Sequence, residues 1–329
     1  MLMILSRTPF RISFFGGGTD YPAWYEKHGG AVVAAAINHY CYISCRHLPP
    51  FFTHRYRIAY SQMETTGTIG EIRHPAVRSC LQYMNIKDGL EIHHDSDLPK
   101  QSGLGSSSAF AVGLLYTLHR LAKQDRSPIQ LAQEAIHVER NLCNENVGSQ
   151  DQVTTALGGL NRIDFSPDGS IQTDPLTLKP ERLSGFESHL MLYFTGFSRF
   201  ASEIVVEQLN NLSKKESELH KMRDMVDESI SILQTPTSDL RLFGNLLHES
   251  WKLKRTLSSK ISSPMIDGLY ETARKHGALG GKLCGAGGGG FMLLFVEPDK
   301  QPSVEKALHD FLRVPFAFDF KGTQIIFEG

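Results

Sequence analysis

The sequence lacks a long uncharged apolar run, a strong excess of charge of one sign and a paired-cysteine motif. No window reaches the ~18 apolar residues that a membrane-spanning helix needs. The net charge of −1 gives no basic field for nucleic acid or an anionic membrane. The five cysteines form no C-x-x-C pair, which favours reduced thiols. The N-terminus has no signal-peptide core, so we expect a cytoplasmic protein.

The common nucleotide-binding signatures are absent or out of place. Gly281-Lys282 does not complete a Walker A loop, because His276 stands where the first glycine should be. The string G-x-G-x-x-G occurs within Gly285–Gly290, but a predicted strand follows it instead of the helix that a dinucleotide site requires. Protein-kinase signatures are missing. These observations argue against the best-known nucleotide-binding folds.

What the sequence does have is a glycine- and serine-rich stretch, Pro99–Ala109, that leads into a predicted helix. Glycine lets the backbone approach phosphate oxygens, and the free N–H groups and dipole of a helix N-terminus attract an anion. We therefore predict a phosphate-binding loop formed by Pro99, Gly103, Leu104, Gly105, Ser106, Ser107 and Ser108. The alternative is a flexible loop before a serine-capped helix, and composition alone does not decide between them.

The order of the predicted elements indicates an α+β protein of two domains. Strands and helices alternate in residues 1–185, the predicted first domain, which opens with a strand over 3–15 that we expect to be broken at Pro9. The pattern changes in residues 186–329, the predicted second domain. A charged helical stretch covers 202–234 there, and a strongly apolar strand covers 291–296.

Three separated segments, in this order, resemble the GHMP kinase family, which includes galactokinase, homoserine kinase and mevalonate kinase. Pro9–Tyr21 looks like the family's sugar-kinase signature, Pro99–Ala109 like its phosphate loop and Lys282–Phe291 like its third motif. The resemblance extends from about residue 4 to residue 296. It implies an N-terminal domain like ribosomal protein S5 domain 2, a ferredoxin-like C-terminal domain and an active site between them.

The resemblance also implies ATP-dependent phosphoryl transfer, in which a protein mainly positions groups and neutralises charge. Asp151 would accept or orient the proton of the acceptor hydroxyl, and Arg11 would offset the developing negative charge. Ser107 and Glu139 would hold Mg²⁺. The residue-based alternatives are a helix cap for Asp151, a surface arginine for Arg11 and a solvated helix charge for Glu139.

The acceptor that the resemblance implies is a sugar. Asp20 matches the aspartate that binds ring hydroxyls in the family's sugar signature. Gly17-Gly18 stands where galactokinase has Glu-His, which removes contacts to a hexose and opens space for a longer or phosphorylated sugar. Gly287 is a further substrate candidate. Arg199 and Lys282 are candidate cations for a substrate phosphate, and Lys254 and Arg255 are weaker candidates.

Within the family, residues 7–21 and 280–291 resemble the branch that phosphorylates the anomeric hydroxyl of D-glycero-D-manno-heptose 7-phosphate. The product would be the 1,7-bisphosphate, used for nucleotide-activated heptose and surface polysaccharide. A fucokinase-like or other anomeric kinase of an unphosphorylated sugar stays open as an alternative. A non-catalytic sugar or nucleotide sensor on the same fold is the alternative of another class. The expected partners are a sugar phosphate, ATP and Mg²⁺, without nucleic acid or membrane.

Overall fold

The computed structural model describes residues 2–100, 102–196 and 201–329. Its strands are β1 (Met3–Phe15), β2 (Gly30–His47), β3 (Tyr56–Ala59), β4 (Met63–Thr66), β5 (Leu90–Ser96), β6 (Leu160–Phe165), β7 (Ile171–Pro175), β8 (Leu190–Gly196), β9 (Ala278–Leu283), β10 (Gly290–Val296), β11 (Leu312–Arg313) and β12 (Gln324–Glu328).

Eleven α-helices connect these strands in the described part of the chain. They are α1 (Pro22–His28), α2 (Pro75–Tyr83), α3 (Ser106–Leu121), α4 (Pro128–His137), α5 (Gln150–Leu157), α6 (Pro180–Ser188), α7 (Ala201–Asn211), α8 (Glu216–Gln234), α9 (Arg241–Arg255), α10 (Pro264–Lys275) and α11 (Gln301–Ala307). None of the helices formed by the described residues has both the length and the apolar character needed to cross a membrane.

An eight-stranded sheet is built mainly from the first half of the chain, with a main path of β12-β1-β2-β5-β3-β4. β6 pairs with residues 30–35 of β2, and β7 pairs with β6. Helix α3 packs on β1 and β2, and α8 contacts the same two strands. Because these central strands are covered by helices, residues 31–37 are all buried and read as an unbroken apolar run.

The expectation that Pro9 breaks the first strand is wrong. β1 runs from Met3 to Phe15 as one strand antiparallel to β2, and its register shifts between Pro9 and Phe10. Proline is tolerated at such an irregularity, where its missing N–H need not interrupt the hydrogen-bond ladder. The uninterrupted strand carries Arg11 and Ser13, which lie two residues apart and so share one face.

The predicted N-caps of two helices are observed, but one predicted helix is interrupted. Ser127 and Ser263 cap α4 and α10 as predicted, each accepting a hydrogen bond from a backbone N–H three residues later. The helical stretch predicted over 202–234 is instead two helices, separated by a 3₁₀ turn at Leu212–Lys214. This segment contains neither glycine nor proline, so the sequence gives no local stop signal there.

A second sheet of four antiparallel strands, β11-β8-β10-β9, is formed wholly by residues 190–313. The first sheet contacts α6, α9 and the segment before β12 at an aromatic cluster. The ring centroid of Phe14 lies 5.5 Å from that of Phe186, 5.7 Å from that of Phe243 and 6.2 Å from that of Phe318. β12 then returns to the first sheet and pairs with β1. The α+β architecture is as predicted, and the domain boundary at 185/186 stays a prediction.

Candidate active site

The predicted phosphate loop leads directly into the N-terminus of α3. Gly105 is the N-cap residue, and both Gly103 and Gly105 have positive φ, 79° and 76°. Such angles favour glycine. Because glycine has no side chain to cap the helix, the first-turn N–H groups stay available to an anion. Ser106 and Ser107 line the adjoining cleft, whereas Leu104 is buried and its carbonyl accepts the N–H of Arg11.

The third glycine motif supports this loop by direct backbone contact. A Cβ on Gly103 would lie 2.5 Å from the carbonyl oxygen of Cys284, and a Cβ on Gly285 would lie 2.5 Å from the Cα of Gly103. A Cβ on Gly290 would lie 2.2 Å from the carbonyl oxygen of Ser102. Only glycine fits at these contacts. Gly285 and Gly290 of the third motif therefore pack on the phosphate loop.

Gly287 lies elsewhere in the same motif. Its φ is 124°, and a Cβ there would lie 2.8 Å from the Cα of Ile261. The neighbouring Gly288 donates its N–H to the Ile261 carbonyl. This part of the motif is therefore packed against the loop before α10, and a substrate contact by Gly287 stays a prediction.

Arg11 and Asp151 form a two-bond ion pair beside the phosphate loop. Arg11 donates from Nε to Asp151 Oδ1 at 2.7 Å and from Nη2 to Oδ2 at 2.6 Å. Its Nη1 donates to the Gly103 carbonyl at 2.7 Å. Burial lowers the pKa of Arg11, but the Asp151 charge and hydrogen bonds outweigh burial, and the pKa is raised overall. One guanidinium thus fixes Asp151 relative to the loop.

Asp151 is not the cap of its helix. The N-cap residue of α5 is Ser149, and Asp151 lies inside the first turn, after Gln150. Its side chain is 24% exposed, whereas that of Arg11 is 5% exposed. The carboxylate is therefore held from one side and open on the other, which is the arrangement that an acceptor-binding base requires.

Glu139 and Ser107 are also brought together, although they come from different helical segments. Glu139 is 1% exposed and lies in a π-helical turn, Val138–Leu142. Ser107 donates to its Oε1 at 2.6 Å, and both Ser108 (2.9 Å) and Gln152 (2.6 Å) donate to its Oε2. Burial raises the pKa of Glu139 to about 7, in spite of these three donors. A cation would stabilise the ionised form of such a carboxylate.

This donor set suits a hard divalent cation. Carboxylate and hydroxyl oxygens are the ligands that Mg²⁺ takes, and it keeps several waters besides a few protein oxygens. Among the residues that the structure describes, no three His, Cys, Asp or Glu side chains cluster to hold a metal. Glu139 and Ser107 are adjacent, and their binding of a cation stays a prediction. Ser108, predicted as part of the phosphate loop, instead donates to Glu139, and Gln152, which was not predicted as a site residue, completes the shell.

Asp20 lies next to the segment that carries Asp151. It is 1% exposed, its Oδ1 accepts the N–H of Gly18 at 3.0 Å and its Oδ2 accepts the N–H of Gln150 at 3.5 Å. A Cβ on Gly148 would lie 1.9 Å from Oδ2, so the turn before α5 closes directly over this carboxylate. Burial, followed by the charge of Asp151, raises the pKa of Asp20.

Two buried lysines from the second sheet region complete the charged part of the site. Lys282 donates to the Phe14 carbonyl at 3.0 Å, and burial, followed by the charge of Lys254, lowers its pKa to about 7. Lys254 donates to the carbonyls of Leu283 (3.1 Å) and Gly285 (2.5 Å), and burial lowers its pKa to about 8. Both ammonium groups are thus engaged with backbone. The predicted phosphate contact of Lys282 stays a prediction, and Arg199 lies outside the described residues.

A cleft of 1220 Å³ adjoins the phosphate loop. One wall is aromatic: His74 stacks on Phe110 with centroids 4.9 Å apart, and His94 meets Phe110 edge-on at the same distance. Burial lowers the pKa of His94 to about 4, so the wall is uncharged near neutral pH. The sequence showed no signal for this wall, because its members are isolated residues on separate elements.

Comparison with known proteins agrees with this architecture. The GHMP kinases N terminal domain matches residues 72–159, and the GHMP kinases C terminal domain matches residues 230–314. The D-glycero-alpha-D-manno-heptose 7-phosphate kinase of Campylobacter jejuni is 29% identical over 320 residues, which cover 94% of each chain. The bifunctional fucokinase/GDP-fucose pyrophosphorylase of Arabidopsis thaliana is 25% identical over 340 residues, which cover 95% of this chain and 31% of its own length.

Solved structures share the fold over nearly the whole chain. A D-glycero-D-manno-heptose 1-phosphate kinase from Bacteroides thetaiotaomicron superposes with a TM-score of 0.79, at 23% identity and 98% coverage of each chain. The Lactococcus lactis galactokinase complexed with galactose superposes with a TM-score of 0.74, at 18% identity, covering 98% of this chain and 95% of its own. The two matched domains, the three motifs in order and this common α+β architecture lead to one conclusion: the chain belongs to the GHMP kinase family.

Proposed function

We propose that this protein is an ATP-dependent sugar kinase that phosphorylates an anomeric hydroxyl. One observation carries the proposal. The Arg11 guanidinium binds Asp151 and the Gly103 carbonyl together, so a partly exposed carboxylate is held beside a loop suited to a triphosphate. This arrangement joins a base for the acceptor to a site for the donor, which phosphoryl transfer requires.

In the proposed reaction, the acceptor oxygen attacks the γ-phosphorus and its proton passes to an oxygen of Asp151. The bond between the γ-phosphorus and the bridging oxygen breaks, and ADP leaves. Arg11 holds the Asp151 carboxylate in place through two hydrogen bonds, so that its open side is available to the acceptor hydroxyl. The first-turn N–H groups of α3 bind the triphosphate. Glu139 and Ser107 would hold Mg²⁺, which neutralises phosphate charge when bound.

We propose D-glycero-D-manno-heptose 7-phosphate as the acceptor. The similarity to the Campylobacter enzyme over 94% of both chains supports it. So does Gly17-Gly18, which stands where galactokinase has two bulky polar side chains and so removes contacts to a hexose. The product would be the 1,7-bisphosphate, a precursor of nucleotide-activated heptose for surface polysaccharide.

A fucokinase-like kinase of an unphosphorylated sugar is the second candidate. The similarity to the Arabidopsis fucokinase favours it, and so does Lys282, whose ammonium is buried against the Phe14 carbonyl instead of open to a substrate phosphate. A non-catalytic sensor is less well supported. A sensor would need neither the Arg11–Asp151 pair nor the Glu139 shell, and both are complete here.

The test is ADP release with Mg·ATP across heptose 7-phosphate, mannose 6-phosphate, fucose, galactose and no sugar. Turnover confined to heptose 7-phosphate, with a new anomeric phosphate signal by phosphorus NMR, would support the proposal in full. Turnover on fucose or galactose would keep the kinase and replace the acceptor. ATP binding without turnover on any sugar would favour the sensor.

A further inference from the structure

Two buried polar side chains next to Asp151 and Arg11 have an atom without a hydrogen-bond partner among the described residues. Ser13 is 7% exposed and Gln150 is 9% exposed. The unpartnered atoms are the Ser13 Oγ and the Gln150 Oε1. Most buried polar side chains in folded proteins are hydrogen-bonded, and an exception needs a reason such as a ligand. Ser102 and Gln152 nearby also have an unpartnered buried atom, but Ser13 and Gln150 both flank Gly17 beside the Arg11–Asp151 pair, which points to a shared ligand.

Both side chains border the space where Gly17 has no side chain. A Cβ built on Gly17 would lie 3.7 Å from the Ser13 Oγ and 3.8 Å from the Gln150 Nε2. Asp20, three residues beyond Gly17, accepts the backbone N–H of Gln150. The serine hydroxyl, the glutamine amide and the aspartate therefore belong to one polar neighbourhood, to which Gly17 adds no side chain.

The same two elements position the Arg11–Asp151 pair. Ser13 follows Arg11 by two residues on β1, so the two side chains share a strand face. Gln150 directly precedes Asp151 in the first turn of α5. A ligand that presents a hydroxyl to Asp151 is thus within reach of groups on both elements.

We propose that Ser13 and Gln150 bind hydroxyl groups of the sugar acceptor and determine which sugar the enzyme accepts. The inference rests on the proposed sugar kinase function. A serine hydroxyl and a glutamine amide each offer both a donor and an acceptor, as a sugar hydroxyl does, whereas the Asp20 carboxylate only accepts. A site built to pair with hydroxyls rejects sugars that lack them, because its own buried polar groups are then left unpaired.

The test begins with Ser13→Ala and Gln150→Met, which remove the polar atoms with little change in shape. Each should raise the KM for the active sugar about 3- to 30-fold and leave the KM for ATP within about twofold. Ser6→Ala is the matched control. Ser6 is a buried serine on the same strand, but its hydroxyl already donates to the Gly113 carbonyl at 3.1 Å. Its loss should lower stability without changing the KM for the sugar.

Gly17→Ala probes the space itself. The new methyl group would make only ordinary van der Waals contacts with the protein, and Gly17 does not have a positive φ. The variant should therefore fold normally and still raise the KM for the sugar. A wild-type KM in this variant would mean that no substrate atom enters the space, which would overturn the proposed placement.

Monodeoxy analogues of the active sugar separate direct contact from a structural role. If Ser13 contacts a sugar hydroxyl directly, Ser13→Ala should not raise the KM for the one analogue that lacks this hydroxyl. The same holds for Gln150→Met and the hydroxyl that Gln150 contacts. Two results would overturn the inference without affecting the proposed kinase function. One is an increase in KM that each variant shows equally with every analogue, and the other is an unchanged KM in both variants. A wild-type enzyme inactive on every sugar would instead overturn the function on which the inference rests.

Discussion

At the residue scale, the site depends on a guanidinium that does two tasks at once. Arg11 uses two of its nitrogens on Asp151 and a third on the Gly103 carbonyl. A lysine at this position would present a single ammonium on a flexible chain and could not reproduce the planar two-bond contact. The fixed orientation of Asp151 is therefore a property of this arginine as much as of the aspartate.

Asp151→Asn should lower kcat by about 10²- to 10⁴-fold, because the amide cannot accept the proton of the acceptor hydroxyl. The KM for ATP should change by less than about threefold, since Asp151 makes no part of the phosphate loop. Steady-state kinetics with sugar and ATP varied separately would measure both. Asp168→Asn, in the turn between β6 and β7, is the control and should behave as wild type. Near-wild-type turnover in Asp151→Asn would remove Asp151 from its proposed role.

Lys282→Met should make stability less dependent on pH. In the folded protein the pKa of Lys282 is about 7, because of burial first and Lys254 second, against an ordinary value of 10.5. Between these two values the unfolded chain binds a proton that the folded chain does not, so this group makes the free energy of unfolding rise with pH. As pH falls from 10 to 7, wild type should therefore lose stability relative to Lys282→Met.

Urea unfolding of both proteins at several pH values would measure this difference. Lys275→Met, at an exposed lysine of α10, controls for the loss of a lysine as such. Parallel curves for wild type and Lys282→Met would show that Lys282 keeps its proton in the folded state.

Some candidate site residues could be predicted from the sequence and others could not, for a physical reason. Arg11 lies in the sugar-kinase signature, and Asp151 and Glu139 were assigned roles by the family resemblance. Ser13 lies in the same signature and Gln150 precedes Asp151, but neither had a role that the sequence could indicate, because what marks them is burial without a partner. That property exists only once β1 and α5, more than 130 residues apart in sequence, have met.

At the element scale, the N-terminus of α3 and the third glycine motif form one backbone contact. Gly103→Ala would combine a positive φ of 79° with a Cβ placed 2.5 Å from the Cys284 carbonyl oxygen. We expect it to cost about 2–4 kcal/mol of unfolding free energy and to weaken ATP binding. Denaturant unfolding and nucleotide titration would measure the two effects.

Gly169→Ala is the matched control for this prediction. Gly169 has a similar φ of 84°, but a Cβ there would meet no atom within 4 Å. It should cost only about 1 kcal/mol, from backbone strain alone. Equal costs for the two variants would mean that the contact between loop and motif contributes nothing to stability.

The elements themselves were predictable where local chemistry decides them. The serine caps of α4 and α10 are local signals, and both were found. The unbroken β1 was not predictable, because Pro9 is accommodated by a shift in the pairing register with β2. No local sequence feature indicates this shift. The π-helical turn that holds Glu139 was likewise hidden, since its sequence continues the helical pattern of α4.

At the scale of the whole molecule, the two sheets share a core. Phe14 contacts aromatic rings from α6, α9 and the segment before β12. We therefore expect the described parts of both sheets to unfold together. The two tryptophans, Trp24 in α1 and Trp251 in α9, are both fully buried and report on the two regions separately.

Single-tryptophan variants, Trp24→Phe and Trp251→Phe, would be unfolded in urea and followed by fluorescence. Each curve should coincide with the loss of helical circular dichroism of the same variant, which is the mark of a two-state transition. A fluorescence midpoint that precedes the loss of circular dichroism in one variant only would show that one region unfolds independently.

The pairing of β12 with β1 has a consequence during biosynthesis. β12 is made about 310 residues after β1. At roughly 5–20 residues per second, a ribosome needs roughly 15–60 s for that interval. The strand that carries Arg11 therefore has one edge open while the intervening residues emerge, and an open strand edge can pair with another chain. A residue central to the proposed chemistry thus lies on a strand that gains its second partner only after about 310 further residues have been synthesised.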